Sequence, residues 1–127
     1  MFINLSNHPS SGWLSEQTAA AQRYGKIVDL PFPPIDPRMS GEELEEEVER
    51  YYALVMELIK AGGDGSTSTR VMLQGEMTFT FRLVTRLKKA GIPCVAACSE
   101  RMTEDVAAED GKIQKKVTFV FAGFREY

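Results

Sequence analysis

Residues 70–98 read RVMLQGEMTFTFRLVTRLKKAGIPCVAAC, and this stretch decides the fold. RVMLQ is a short apolar strand that Gly75 breaks. The spacing predicts a helix over Met77–Ala90, with Met77, Phe81, Val84 and Leu83/Leu87 facing inward. Arg82, Arg86 and Lys89 fall at i, i+4 and i+7, a basic stripe on its other side. Gly91 caps that helix, and Ile92–Cys98 has the small and β-branched residues of a buried parallel strand. Strand, helix and strand in this order imply a right-handed crossover between parallel neighbours.

The same grammar extends outward. Upstream, FINLS (residues 2–6) is a buried strand followed by the turn-rich NHPSSGW. Residues 15–24 form a helix that Ser15 can cap and Gly25 stops, and KIVDL (26–30) is the second strand. PFPPIDPRM can be neither helix nor central strand, because proline removes backbone donors. Ser40-Gly41-Glu42-Glu43 is a capping box, and the helix after it carries Leu44, Val48, Tyr51, Val55, Leu58 and Ile59 as its core stripe. AGGDGSTST (61–69) ends it with a flexible connection. Downstream, RMTEDVAAE and KIQKKVTFVFAGF flank Asp110-Gly111, a hairpin turn signal. The expected fold is therefore α/β: a compact Rossmann-like three-layer domain over residues 1–127 with a mainly parallel sheet. Its strand order is 2-1-3-4-5, the last strand being an antiparallel hairpin strand at the edge.

At 127 residues the chain fits one core, and 43% hydrophobic with 26% charged residues is the balance of a globular protein. Its apolar runs fall short of the roughly 20 residues that span a bilayer, and the opening MFINLSNHPSS does not read as a secretory signal. Cytoplasmic location and no membrane partner are expected. The net charge of −3 argues against coating long DNA or RNA. Yet EELEEEVE (42–49), read as a solvated helix face, holds six of the 18 acids and no base. The remainder is mildly basic and suits a small anion. One histidine and the cysteines Cys94 and Cys98, same-facing but too far apart to bridge, assemble neither a zinc site nor a disulfide. Neither a bound metal nor a cofactor is expected: the GxGxxG fingerprint, the Walker A loop and GxSxG do not occur.

Open parallel sheets bind ligands beyond the carboxyl ends of their strands, at the switch in strand order. That rule selects three loops: Asn7-His8-Pro9-Ser10-Ser11-Gly12-Trp13, Gln74-Gly75-Glu76-Met77-Thr78 and Ser99-Glu100-Arg101. Asn7, Ser10 and Ser11 can donate to a phosphate or a base edge. Trp13 either stacks on a purine or belongs to the core. Gln74-Gly75 either lets a ligand approach the backbone or simply turns strand into helix. His8 is an acid, base or phosphate contact, or it stabilises the turn beside Pro9. Arg101 either steadies phosphate charge or sits in a surface ion pair, and Glu76 and Glu100 either orient it or cap helices.

NLSNHPSSGWLSEQ, VDLPFP, VMLQGEMTFTFRLVTRLKKAGIPCVAACSER and the closing FREY resemble the small stand-alone CRISPR-associated ring nucleases. These accessory proteins of type III CRISPR systems have a Rossmann-like fold related to CARF sensor domains. The resemblance is weakest over residues 38–69 and 102–116. Members often carry Thr-Thr-Glu-Arg after strand 4, where this chain has Ala97-Cys98-Ser99-Glu100-Arg101. The resemblance implies a homodimer, or a further assembly of dimers, binding cyclic oligoadenylate (usually cyclic tetra-adenylate) across its two-fold axis. It implies metal-independent cleavage: the ribose 2′-hydroxyl attacks the adjacent phosphorus and expels the 5′-oxygen, leaving a 2′,3′-cyclic phosphate. On this reading His8, Ser11 and Arg101 are the catalytic candidates. Asn7, Ser10, Trp13, Gln74, Gly75, Glu76, Thr78, Ser99 and Glu100 are the ligand-binding ones. The competing readings are a sponge that holds the ring uncut and a Rossmann-like module binding a protein through its acidic helix.

Overall fold

A computed structural model of the chain describes residues 1–62 and 68–127. Five strands, β1 (Phe2–Ser6), β2 (Ile27–Asp29), β3 (Arg70–Gln74), β4 (Cys94–Ala107) and β5 (Ile113–Glu126), alternate with three helices. These are α1 (Ser15–Gln22), α2 (Gly41–Gly62) and α3 (Met77–Lys89). The sheet order is β2-β1-β3-β4-β5, parallel except for the antiparallel β4–β5 pair, as the sequence led one to expect. Because side chains alternate along a strand, β1 and β3 divide their apolar residues between two layers. Ile3, Leu5, Val71 and Leu73 pack with α2 and α3. Phe2, Met72 and Val95 pack with Ala21 of α1 and with Trp13, Tyr24 and Phe124.

The α2 stripe is buried at Leu44, Val48, Tyr51, Val55 and Ile59, with Leu58 packed at its margin. The Ser40 hydroxyl accepts from the Glu43 amide at 3.1 Å, the N-cap bond read from the capping box. The helix end and connection expected over residues 61–69 fall largely on residues 63–67, outside the described ones.

Four expectations need correction. Helix α1 takes Leu14, not Ser15, as its N-cap; Ser15 is already helical and its hydroxyl donates to Glu16. On α3 the buried residues are Phe79, Thr80, Leu83, Val84 and Leu87, while Met77 and Phe81 stand 82% and 74% exposed. Two apolar i, i+4 pairs run side by side on this helix, and periodicity alone does not say which one meets the sheet. The acidic face of α2 is not merely solvated: Arg82 reaches Glu45 at 2.6 Å and Arg86 reaches Glu49 at 2.9 Å. Arg86 also lies over the Tyr52 ring. The basic stripe of α3 and the acidic face of α2 therefore pair across the groove between the helices.

The largest correction concerns β4. Instead of ending at Cys98 in a loop, it continues to Ala107, so Ser99, Glu100 and Arg101 are strand residues. Among the described residues β3 pairs with it only at Cys94 and Val95, and from there β5 is its sole partner in the sheet. The two strands rise from the sheet as a ribbon closed by a turn at Asp110-Gly111, where Gly111 takes φ 79°. SERMTEDVA has little strand propensity of its own. Cross-strand pairing with β5, which sets Glu104 opposite Lys116 and Asp105 opposite Lys115, supplies what local preference does not.

Candidate functional site

The loop after β1 is built on a buried amide. Asn4 interrupts the apolar run of β1 and is 2% exposed. Its Nδ2 donates to the His8 carbonyl at 2.9 Å and to Asp29 Oδ1 at 2.8 Å, while its Oδ1 accepts from the Ser6 hydroxyl at 2.7 Å. Ser6 Oγ in turn accepts from the His8 amide at 3.2 Å. From β2, Asp29 accepts the Ser10 amide and, at 2.9 Å, the Ser10 hydroxyl. Trp13 Nε1 donates to the His8 carbonyl at 3.2 Å, and its ring meets Phe2 edge-on. Two strands thus hold one loop from beneath, and a single 3-10 turn (Ser10–Gly12) carries it into α1.

A second opening lies between β3 and β4. Where their backbone ladder stops, the Gln74 amide takes over: its Oε1 accepts from the Ala97 amide at 2.8 Å and its Nε2 donates to the Ala97 carbonyl at 3.3 Å. The side chain spans the gap that opens as β4 leaves the sheet.

Between these two features is a cavity of about 350 Å³ at the carboxyl ends of β1 and β3, on the α1 side. This is the switch in strand order, where such sheets bind ligands. Its polar wall is Ser6, His8, Gln17, Gln74 and Ser99; its apolar wall is Trp13, Leu14, Met72, Phe119 and Phe121. Of the residues expected in one pocket, His8, Trp13, Gln74 and Ser99 come together here. Trp13 packs at the margin of the core, one of its two readings, and also lines the cavity.

Asn7 and Ser11 are exposed on the same loop but do not line the cavity. Ser10, expected to contact phosphate, directs both its amide and its hydroxyl to Asp29. Arg101 is paired with Phe119 in the ribbon, and opposed residues of an antiparallel pair share a face. Arg101 therefore belongs to the cavity side of the ribbon, beyond Ser99, whereas Glu100 points to the other side.

The loop after β3 departs from expectation most. A Cβ on Gly75 would stand 2.3 Å from the Phe32 ring, so the glycine admits Phe32 rather than a ligand. Glu76 is the N-cap of α3: its carboxylate accepts from the amides of Thr78 and Phe79 and from the Thr78 hydroxyl. The Phe79 amide bond, helped by Thr78, holds its pKa below the usual value. Gly75 lines a hollow with Met77, Phe81 and Tyr127; Glu76 and Thr78 line another with Arg82. Gly75, Glu76 and Thr78 thus lie outside the cavity that holds His8.

Sequence reasoning missed Asn4, Ser6, Gln17 and Asp29, and the aromatic wall of Phe119 and Phe121. The one available signal was an amide inside FINLS, a polar group that a buried strand tolerates only when hydrogen-bonded. Cys94 is buried, which raises its thiol to about 12, and neither cysteine is in a disulfide. Among the described residues no cluster of three His, Cys, Asp or Glu side chains is placed to hold a metal ion. Nor, among them, is any helix long and apolar enough to cross a membrane.

Fold and cavity together define a class: an α/β domain of the open, mainly parallel kind with its crevice at the β1/β3 switch. A model of the Uncharacterized protein MJ1673 family matches residues 1–125, and the chain belongs to that family. No curated protein and no solved structure matches it.

Proposed function

We propose that this protein binds a cyclic oligoadenylate, the four-adenosine ring, between two copies of the chain in the cytoplasm and cleaves it. The observation carrying this reading is the cavity at the β1/β3 switch, with aromatic rings on one side and His8 and Ser99 on the other. Trp13, Phe119 and Phe121 suit a purine, since stacking on an aromatic ring is worth about 1–3 kcal/mol per base. At about 350 Å³ the cavity is at the small end of ligand sites, room for one nucleotide unit and not for a ring. A symmetric ring of four suits two such cavities, one on each copy, related by a two-fold axis.

Cleavage uses the ligand's own nucleophile. The ribose 2′-oxygen attacks the neighbouring phosphorus, the 5′-oxygen leaves with a proton, and a 2′,3′-cyclic phosphate remains. The protein aligns these three atoms, a contribution of several kcal/mol when the geometry is held. His8 accepts the 2′-proton or supplies the one taken by the leaving oxygen. The Arg101 guanidinium, from the cavity side of the ribbon, meets the charge that grows on the phosphoryl oxygens, and the Ser11 hydroxyl does so from the exposed loop outside the cavity wall, each donor worth about 3 kcal/mol. Pairing of Arg82 and Arg86 with α2 leaves this role to the loop after β1 and the ribbon.

Incubation with excess cyclic tetra-adenylate tests the reading. More than one ring converted per pair of chains, to linear products ending in 2′,3′-cyclic phosphate, supports it. Intact ring recovered after denaturation makes the protein a sponge. A ligand at a hundred times its Kd adds about 2.7 kcal/mol of stability. No change in melting temperature with any cyclic oligoadenylate overturns the reading in favour of a protein-interaction module.

A further inference from the structure

Beyond Cys98 the β4–β5 ribbon leaves the body of the protein, its Ser99–Ala107 strand running roughly 30 Å at about 3.3 Å per residue. It is exposed nearly throughout, with Ile113 at 74%, Phe119 at 64% and Val117 at 40%. A two-stranded ribbon alone in water is marginally stable, and this one carries large apolar side chains. It has the properties of a surface made to be covered.

The rows of the face continuous with the cavity say by what. Pairing and alternation place Arg101 beside Phe119, then Thr103 beside Val117, then Asp105 beside Lys115. Thr103–Val117 is the middle row. When a second ribbon is laid face to face and antiparallel about a two-fold axis through that row, Val117 meets Val117. The Asp105–Lys115 row then meets the Arg101–Phe119 row: carboxylate against guanidinium, ammonium against aromatic ring. The match is reciprocal, since each contact occurs twice with the copies exchanged, the hallmark of a two-fold interface. Parallel stacking is disfavoured, because α1 lies on this side of the sheet with Gln17 beside Phe119 and Phe121, and two such layers would be brought to the same end.

We infer that the ribbon is a pairing arm for a second copy of this chain, stacked antiparallel through the Thr103–Val117 row. Each tip then lies beside the other copy's cavity at Phe119 and Phe121, and the partner's Asp105 orients Arg101. Only this last step rests on the ring-binding reading.

Analytical ultracentrifugation of the full chain, with and without charge reversal, tests the inference. Wild type is expected to sediment as a dimer. Arg101→Asp and Asp105→Arg should each raise the dimer Kd roughly tenfold or more, and the double reversal should restore it. Facing ribbons lie about 10 Å apart, so Val117→Cys should be cross-linked between chains by a short bis-maleimide and not by a direct disulfide, a readout independent of the charge variants. A wild-type monomer overturns the inference, as does a dimer indifferent to both reversals or one that fails to cross-link at position 117. A monomer that still binds cyclic tetra-adenylate would sink the pairing arm alone. A ribbon-paired dimer unmoved by any ring would sink the ring reading alone.

Discussion

Asn4 Nδ2 and Asp29 Oδ1 lie 2.8 Å apart, joining two parallel strands beneath the loop that carries His8. Asn4 is buried and also holds the His8 carbonyl and the Ser6 hydroxyl, so no water replaces it cheaply. Asn4→Leu strips three partners at once. The expected loss is about 2–4 kcal/mol in urea unfolding, with faster hydrogen exchange of the amides of His8 and Ser10. Asp29→Ala, at an exposed carboxylate, should cost less in stability while freeing the Ser10 amide alone.

Gly75 and Phe32 make a steric pair. Gly75→Ala should destabilise by about 1–3 kcal/mol, because the added methyl enters the space of the Phe32 ring. Phe32→Ala removes the obstacle at its own cost, and in the double variant the Gly75→Ala penalty should shrink to well below its value alone. A double-mutant cycle by thermal unfolding reads this coupling.

Glu76 gives an acid-sensitive cap. Its pKa is lowered in the folded protein, chiefly by the Phe79 amide and then by Thr78. Its contribution is therefore complete above the ordinary value of 4.5 and is lost as pH falls through the lowered one. Glu76→Ala should cost about 1 kcal/mol at pH 7, and the gap from wild type should narrow as unfolding is measured below pH 4.5.

On the proposed ring cleavage, variants at His8 and Arg101 should separate binding from chemistry. His8→Ala should slow ring cleavage by about 10²–10⁴-fold and leave affinity within a few-fold. Arg101→Ala should lower kcat by about 10²-fold, read in single-turnover assays. If neither variant changes the rate, the chemistry belongs to other residues of the cavity.

The β-α-β grammar of residues 70–98 and the Asp110-Gly111 turn were legible because glycine punctuation and hydrophobic period are local properties. The two halves of the site differ in this respect. The segment NHPSSGW could be placed at the switch in strand order, since that rule needs only the order of the strands. The segment SER could not be recognised as strand, since its partner lies about twenty residues on and propensity says little there. Phe119 and Phe121 look like ordinary strand aromatics until the ribbon leaves the sheet and sets them against the cavity.

Local chemistry in the chain determined its elements, their parallel order and the loop that bears His8, because helices and strands record their burial in periodicity. Tertiary structure alone decided which apolar stripe of α3 faces the sheet and that Gly75 makes room for Phe32. It also decided that Gln74 spans the gap to Ala97 and that Asn4 and Asp29 moor the loop. Those relationships join residues distant in sequence, and their free energy comes from contacts that exist only once the sheet has closed around them.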